Sequence, residues 1–351
     1  MKIWFRHILW QLTKTFLFLL VCLFAIYVVV DLSVHGVRFL SSGHTTFAEV
    51  SLYYFRTLAV LLDLFLTLTF LLATMRVLFD LNGHREIVAL QMAGLSKKKL
   101  LVPFFVFAAF LSSLCYINSQ WFSPDAQDVA DAFMIAHRPQ KKSKADKIHV
   151  YSISLEDDSE LVYQSFDKAK KELFDVYWIR NPNDIWHMKN LRVDPLQGQF
   201  VNHLTRNSKK QLEKSESFTL RDFPELPWNE EATLQKFVPF ENRPIATLCS
   251  QAIIDSAERR SILTHLSYKL LVPLMPFLVL FAIGPISTQF SRNRPVFLIA
   301  AFSLFGFISL KVILDGMLIL GENQVLPAIV AIWGPIALVL AFSLPSFIKM
   351  R

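Results

Sequence analysis

The sequence predicts an α-helical membrane protein of six transmembrane helices, with an all-β, jelly-roll-like periplasmic domain inserted between helices three and four. Three observations predict it. Three long apolar runs crowd the first ~120 residues and three more the last ~90, and the stretch between them holds none; about 20 residues of apolar helix cross a bilayer. The composition agrees, at 53% hydrophobic with 32 Phe and only 19% charged, below the roughly one quarter of soluble domains. Lys and Arg in the short connections fall mostly on one side, as worked out below.

The first run, Phe16 to Val30, has no polar residue, and Lys14 near its start can snorkel to the interface. A cleaved signal peptide is the competing reading. No small-x-small site follows, because the next residues are Asp31-Leu32-Ser33-Val34-His35, so the run reads as a retained helix. The second run is Leu58 to Met75 and the third Leu100 to Ile117. The fourth, Leu266 to Ile286, carries Pro273, Pro276 and Pro285, which membrane helices tolerate because neighbours re-satisfy the freed carbonyls. The fifth is Val296 to Leu314 and the sixth about Leu326 to Leu344.

Orientation follows from the basic residues. With a cytoplasmic N-terminus, one side receives Lys2, Arg6, Lys14, Arg76, Arg85, Lys97, Lys98, Lys99, Arg292, Arg294, Lys349 and Arg351, and the other only Arg38, Arg56 and Lys311. That bias requires an even number of spans. It puts both termini in the cytoplasm and the central domain in a bacterial periplasm, with the chain as a multi-pass protein of the inner membrane. It also accounts for the formal charge of +7 without nucleic acid. The expected domains are 1–122 (helices one to three, with a cytoplasmic helix at about 82–96), 123–262 (the β-domain and a helical lead-in) and 263–351 (helices four to six). Cys22 and Cys115 lie in apolar runs and Cys249 alone outside them, so no disulfide is expected.

Strand signals fill the middle. Ile148 to Leu155 alternates at period two, Glu156-Asp157-Asp158-Ser159 turns, and Leu161-Val162-Tyr163 follows. After a Lys/Asp-rich break come Phe174 to Ile179, the turn Asn181-Pro182-Asn183-Asp184, and Ile185 to Met188. Short strands at this spacing indicate an antiparallel sandwich, jelly roll or meander. Pro224, Pro227, Pro239 and Pro244 punctuate the return, and Ile245 to Arg260 reads as the helical lead-in.

Catalytic constellations are missing from the sequence. Its 10 Gly form neither GxxxxGK[ST] nor GxGxxG, and no HExxH, CxxC or GxSxG occurs. His84, His137, His187 and His203 lack a ligand partner at i+3 or i+4. The expectation is a non-catalytic membrane subunit with no metal and no cofactor.

The sharpest local signal joins spans two and three. Asn82 can cap a short helix with Arg85 and Glu86 in its first turn, Ile87, Leu90 and Gly94 share a face, and Gly94 can stop it. Lys97, Lys98 and Lys99 then complement the helix end and the inner membrane surface. Two readings are open: a juxtamembrane helix lying on lipid, or a plug that inserts into a cytoplasmic partner.

Arg85-Glu86-Ile87-Val88-Ala89-Leu90-Gln91-Met92-Ala93-Gly94-Leu95-Ser96 resembles the E-[LI]-x-x-[LM]-x-x-x-G-[LIF]-[ST] signature of the LptF/LptG permeases, which export lipopolysaccharide. Arg6-His7-Ile8-Leu9 resembles the family's opening, Trp121-Phe122-Ser123-Pro124-Asp125-Ala126 its exit from span three, Phe281 to Ile286 the end of its span four, and Leu326 to Pro335 the start of its span six. The resemblance covers the whole chain. It implies a heterodimer with a homologous permease, bound to a dimer of a cytoplasmic ATPase through a coupling helix that carries Arg85, Glu86, Leu90 and Gly94. Glu86 matches the family's acidic position and would meet a basic or polar groove residue. Lipopolysaccharide would pass laterally between helices one and five of opposite subunits, and the β-domain would hand it to a periplasmic bridge of similar jelly rolls.

The lipid-facing residues are read from the outer ends of the spans. Asp31, His35 and Arg38 share a face at i, i+4, i+7, and a cation there can pair with a lipid phosphate. Arg38 fills a position where the family carries basic residues. Asp31 departs from that pattern and would repel phosphate unless His35 or a divalent cation compensates it. All three could also simply mark the water interface. Asp63 lies inside span two, with Arg56 and Arg38 as candidate partners, or else marks the start of that span. Arg56 and Lys311 complete the candidate lipopolysaccharide contacts, with snorkelling the plainer reading of Lys311. A transducer whose β-domain acts on a periplasmic partner without moving lipid is the alternative function.

Overall fold

The computed structural model describes residues 3–41, 47–124, 126, 151–155, 159–167, 171–206, 212–226, 239–254, 259–288 and 296–350. The chain forms two compact units, Met1–Pro139 with Phe240–Arg351, and Gln140–Pro239.

The first unit is helical. It comprises α1 (Ile3–Ser41), α2 (Phe47–Gly83), α3 (Glu86–Met92), α4 (Lys97–Leu100) and α5 (Val102–Ile117), which a π-helical stretch, Asn118–Phe122, prolongs. After the sheet come α6 (Ile245–Ile254), α7 (Arg259–Leu271), a 3-10 turn (Val272–Leu274), α8 (Met275–Ser287), α9 (Val296–Glu322) and α10 (Ala328–Ile348). Among the described residues six helical segments are long and apolar enough to cross a membrane: Ile3–Gly36, Phe47–Gly83, Val102–Phe122, Arg259–Ser287, Val296–Glu322 and Ala328–Ile348. Each overlaps one of the predicted runs.

The helices outlast those runs for local reasons. In α1, Ile8, Leu12 and Phe16 recur every four residues and are almost wholly buried, so one stripe packs well before the continuous run begins. The fourth span breaks at Val272–Leu274 because Pro273 and Pro276 sit in the first turns of the 3-10 segment and of α8, where their missing N–H groups are tolerated. The Lys98 ammonium donates to the Ile348 carbonyl at 2.9 Å, which satisfies the open end of α10. The core joins Phe70, Leu71 and Leu78 of α2 to Leu101, Phe104 and Leu111, to Leu280 of α8, and to Ile87 of α3. Burial divides the spans: 67% of the most apolar stretch of the fourth is buried, against none of the first and 11% of the fifth.

Among its described residues the second unit is an antiparallel sheet of seven strands, β1 (Tyr151–Ser154), β2 (Glu160–Tyr163), β3 (Ser165–Asp167), β4 (Glu172–Asn181), β5 (Asp184–Arg192), β6 (Gln197–Arg206) and β7 (Leu212–Asp222). Its order is β1-β2-β4-β5-β6-β7, with β3 also on β4. Val162 faces Tyr177 and Ser165 faces Phe174, so β2 and β3 are two pieces of one interrupted strand along β4, with β1 on the far side of β2. The unit is thus jelly-roll-like in its antiparallel strands and single apolar core, and its described strands run as a meander. Leu161, Leu173, Val176, Trp178, Met188, Leu191 and Val201 form that core. The buried Trp178 indole donates to Ser159 Oγ at 3.0 Å. Asp175 and Phe200 adopt left-handed backbone (φ 52 and 51) on either side of Lys189, at one level of the ladder.

Strands β1, β2, β4 and β5 overlap predicted ones; Ile148 to Val150 and Glu156 to Asp158 lie outside the described residues. β3, β6 and β7 were not predicted. β7 shows why: its described side chains are nearly all exposed, so it carries no alternation for a buried face to impose.

Candidate functional site

Helix α2 runs on through Asn82, and the chain then reverses: the His84 N–H donates to the Asp80 carbonyl at 3.0 Å and the Arg85 N–H to that of Asn82 at 3.1 Å. The expected Asn82 cap is therefore not what starts α3. Asn82 is still in the last turn of α2, and the cap position passes to Arg85, in left-handed backbone at φ 58 with no side-chain capping bond. The end of α3 follows the prediction. Gly94 is left-handed at φ 82; its N–H donates to the Gln91 carbonyl at 2.9 Å, and the Leu95 N–H to that of Leu90 at 3.0 Å. These are the two bonds of a Schellman motif, and a residue without Cβ suits the left-handed position. Leu90 and Leu95, the residues joined by the second bond, both pack on the core.

On α3, Ile87 is buried, Leu90 and Glu86 are half-buried, and Arg85 and Gly94 are exposed. Met92 is 87% exposed. Glu86 has no ion-pair partner among the described residues. Beside it lies a groove of about 750 Å³, lined by Ile3, Trp4, His7 and Ile8 of α1 and by Glu86, Ala89 and Leu90 of α3.

At the other end of α1, Asp31 and His35 meet as their spacing predicts, Oδ1 to Nδ1 at 2.9 Å. The Tyr54 hydroxyl donates to Asp31 Oδ2 at 3.0 Å. Sequence reasoning missed Tyr54, because a tyrosine just ahead of an apolar run gives no signal of a partner 23 residues earlier. Asp31 thus has both carboxylate oxygens hydrogen-bonded within the chain, and the Tyr54 bond pins α1 to α2. Arg38 is in the last turns of α1, but its side chain lies outside the described residues. Arg56 is half-buried and its Nε has no hydrogen-bond partner among the described residues.

Asp63 sits well inside α2, the helix that begins at Phe47. Its neighbours are not Arg56, a helix-length of two turns away, but the Cys115 and Asn118 side chains, with Lys269 and Lys311 in electrostatic reach. It lines a largely apolar cavity of about 470 Å³ into which Lys269, Tyr268, Lys311 and Asp315 also project. Lys311 is held there by Asp315 at 3.0 Å and donates to the Tyr268 hydroxyl; that hydroxyl donates in turn to Asp315. Lys269 donates to the Arg243 carbonyl at 2.5 Å. The π-helical stretch closes one wall: the Asn118 amide donates to the Ala59 carbonyl at 2.8 Å, and Gln120 accepts from the Ala246 N–H at 3.1 Å, holding the start of α6.

The structure thus gathers Glu86 and Leu90 at one end, Asp31 and His35 at the other, and Lys311 with Asp63 in the bundle. Compared with known families, the chain matches the model described as lipopolysaccharide export system permease LptF/LptG over residues 6–349. No curated protein matches it.

Proposed function

The chain belongs to the LptF/LptG family of lipopolysaccharide export permeases, a multi-pass membrane subunit of that transport system, and we propose that it extracts lipopolysaccharide from a bacterial inner membrane using ATP hydrolysed by a separate cytoplasmic ATPase dimer. It pairs with a homologous permease, keeps both termini in the cytoplasm, and passes the lipid to a periplasmic jelly-roll bridge. Residues 1–122 and 263–351 supply the six helices and 123–262 the periplasmic domain with its lead-in. One observation carries the reading: the first and fifth spans leave their most apolar stretches almost unburied. Val21, Val29, Phe302 and Phe305 are each more than half exposed, a surface that soluble packing would not leave open and that is free to face lipid or a paired subunit.

In this reading α3 couples to the ATPase. Gly94 fixes its end, Ile87 and Leu90 seat it, Arg85 is exposed and Glu86 opens on the groove. His35, Arg38 and Arg56 meet the lipid phosphates, with Asp31 orienting His35. Lys311 joins them by exchanging its Asp315 partner for phosphate. A photocrosslinking residue in place of Arg38, probed for lipopolysaccharide with and without the ATPase, tests the reading. An ATP-dependent adduct supports it. No adduct at positions 38 and 311, with the ATPase bound normally, would turn the assignment towards a force transducer.

A further inference from the structure

The groove beside Glu86 has two walls, and α3 is only one of them. The other is the first two turns of α1, where Ile3 is 82% exposed and Ile8 is buried at the groove floor. The lining is apolar except for His7 and Glu86, and His7 is engaged with Gln11 at 3.1 Å. Glu86 is half-buried there with no ion-pair partner among the described residues. A carboxylate beside apolar walls attracts a cation more strongly than one in open water. The groove therefore fits a protein surface that offers an apolar side chain and a basic one together.

Resting on the reading of α3 as the ATPase-coupling helix, we infer that the first two turns of α1 form the second half of the ATPase seat, with Ile3 and His7 contacting the same apolar and basic segment of the ATPase that reaches Glu86. The consequence is mechanical. α1 is one unbroken helix from Ile3 to Ser41, about 58 Å at 1.5 Å per residue. Its buried stripe of Ile8, Leu12 and Phe16 shares a core with Ile87 of α3. A push at its first turns reaches Asp31 along a single rigid element, as well as through α3 and α2. The opening segment Arg6-His7-Ile8-Leu9 thereby gains a role beyond starting a span.

The test places a photocrosslinking residue at positions 3, 7, 89 and 21 in the full complex in membranes. Position 21 is the control, since Val21 is 67% exposed in mid-span. ATPase adducts from 3 and 7 as well as 89, changing in yield when ATP is added, with only lipid adducts from 21, support the inference. ATPase adducts from 89 alone, with lipid adducts from 3 and 7, overturn it and leave the docking role of α3 standing. No ATPase adduct from 89 overturns that role and the inference with it. In parallel, Ile3→Glu, at an exposed site, is expected to cut ATPase co-purification tenfold or more at unchanged membrane levels; unchanged co-purification overturns the inference.

Discussion

Gly94→Ala isolates the contribution of the α3 stop to coupling. Gly94 holds φ +82, and a Cβ built there meets nothing within 4 Å. The substitution therefore adds no clash, and its whole effect is backbone strain of about 1–2 kcal/mol for an L-residue in the left-handed region. Helix α3 has 7 residues, too few to stand by itself, so the two Schellman bonds and the Leu90 and Leu95 contacts hold its end. If α3 must be formed to bind the ATPase, that strain weakens binding about 5- to 30-fold. Gly94→Asn, which tolerates this conformation better, should lose less. Gly83→Ala is the control: Gly83 ends α2, has open space around it and needs no left-handed backbone, so binding should not fall. The assay is ATPase titration onto the permease pair in lipid nanodiscs. Binding of Gly94→Ala within twofold of the parent, or an equal loss for Gly83→Ala, refutes the argument.

Three further outcomes are expected. Tyr54→Phe keeps the buried ring but removes the donor to Asp31, and should cost about 1.5–3 kcal/mol, the usual worth of a hydrogen bond to a charged group; thermal unfolding in detergent measures it, and an unchanged midpoint argues against the pin. Gly321→Ala would bring a Cβ to 2.5 Å from Thr264 Cγ2, so it should destabilise by about 1–3 kcal/mol through overpacking. Adding Thr264→Ser should restore most of that loss, a coupling that a double-mutant cycle reads directly. Lys171→Gly should stabilise the sheet unit by about 1 kcal/mol, because Lys171 holds φ 50 in a half-exposed turn; denaturant unfolding of the full chain with a probe on Trp178 follows it.

The spans were legible because an uninterrupted apolar run is a one-dimensional signal. Their ends were not: Ile8, Leu12 and Phe16 bury by helical periodicity inside a polar-flanked stretch, and the fourth span's break depends on where Pro273 and Pro276 fall in a turn. In the sheet, Trp178 and Met188 announced half-buried strands, whereas the exposed edge of β7 had nothing to announce. The candidate site divides the same way. Gly94 and the Asp31–His35 pair were readable because each rests on local spacing. Asn82 misled because a good capping residue gives no sign that the preceding helix continues through it. The surroundings of Asp63 could not be read locally, since Lys269 and Lys311 reach it from the fourth and fifth spans, more than 200 positions along the chain.

The most direct test of the account is ATP-driven release of lipopolysaccharide from proteoliposomes that hold this chain, its homologous permease and the ATPase. The account predicts release of lipid to a soluble jelly-roll acceptor that requires ATP and is abolished by Glu86→Lys, with the variant still folded and inserted. ATP hydrolysis that proceeds normally without release, or release undiminished in Glu86→Lys, would contradict it.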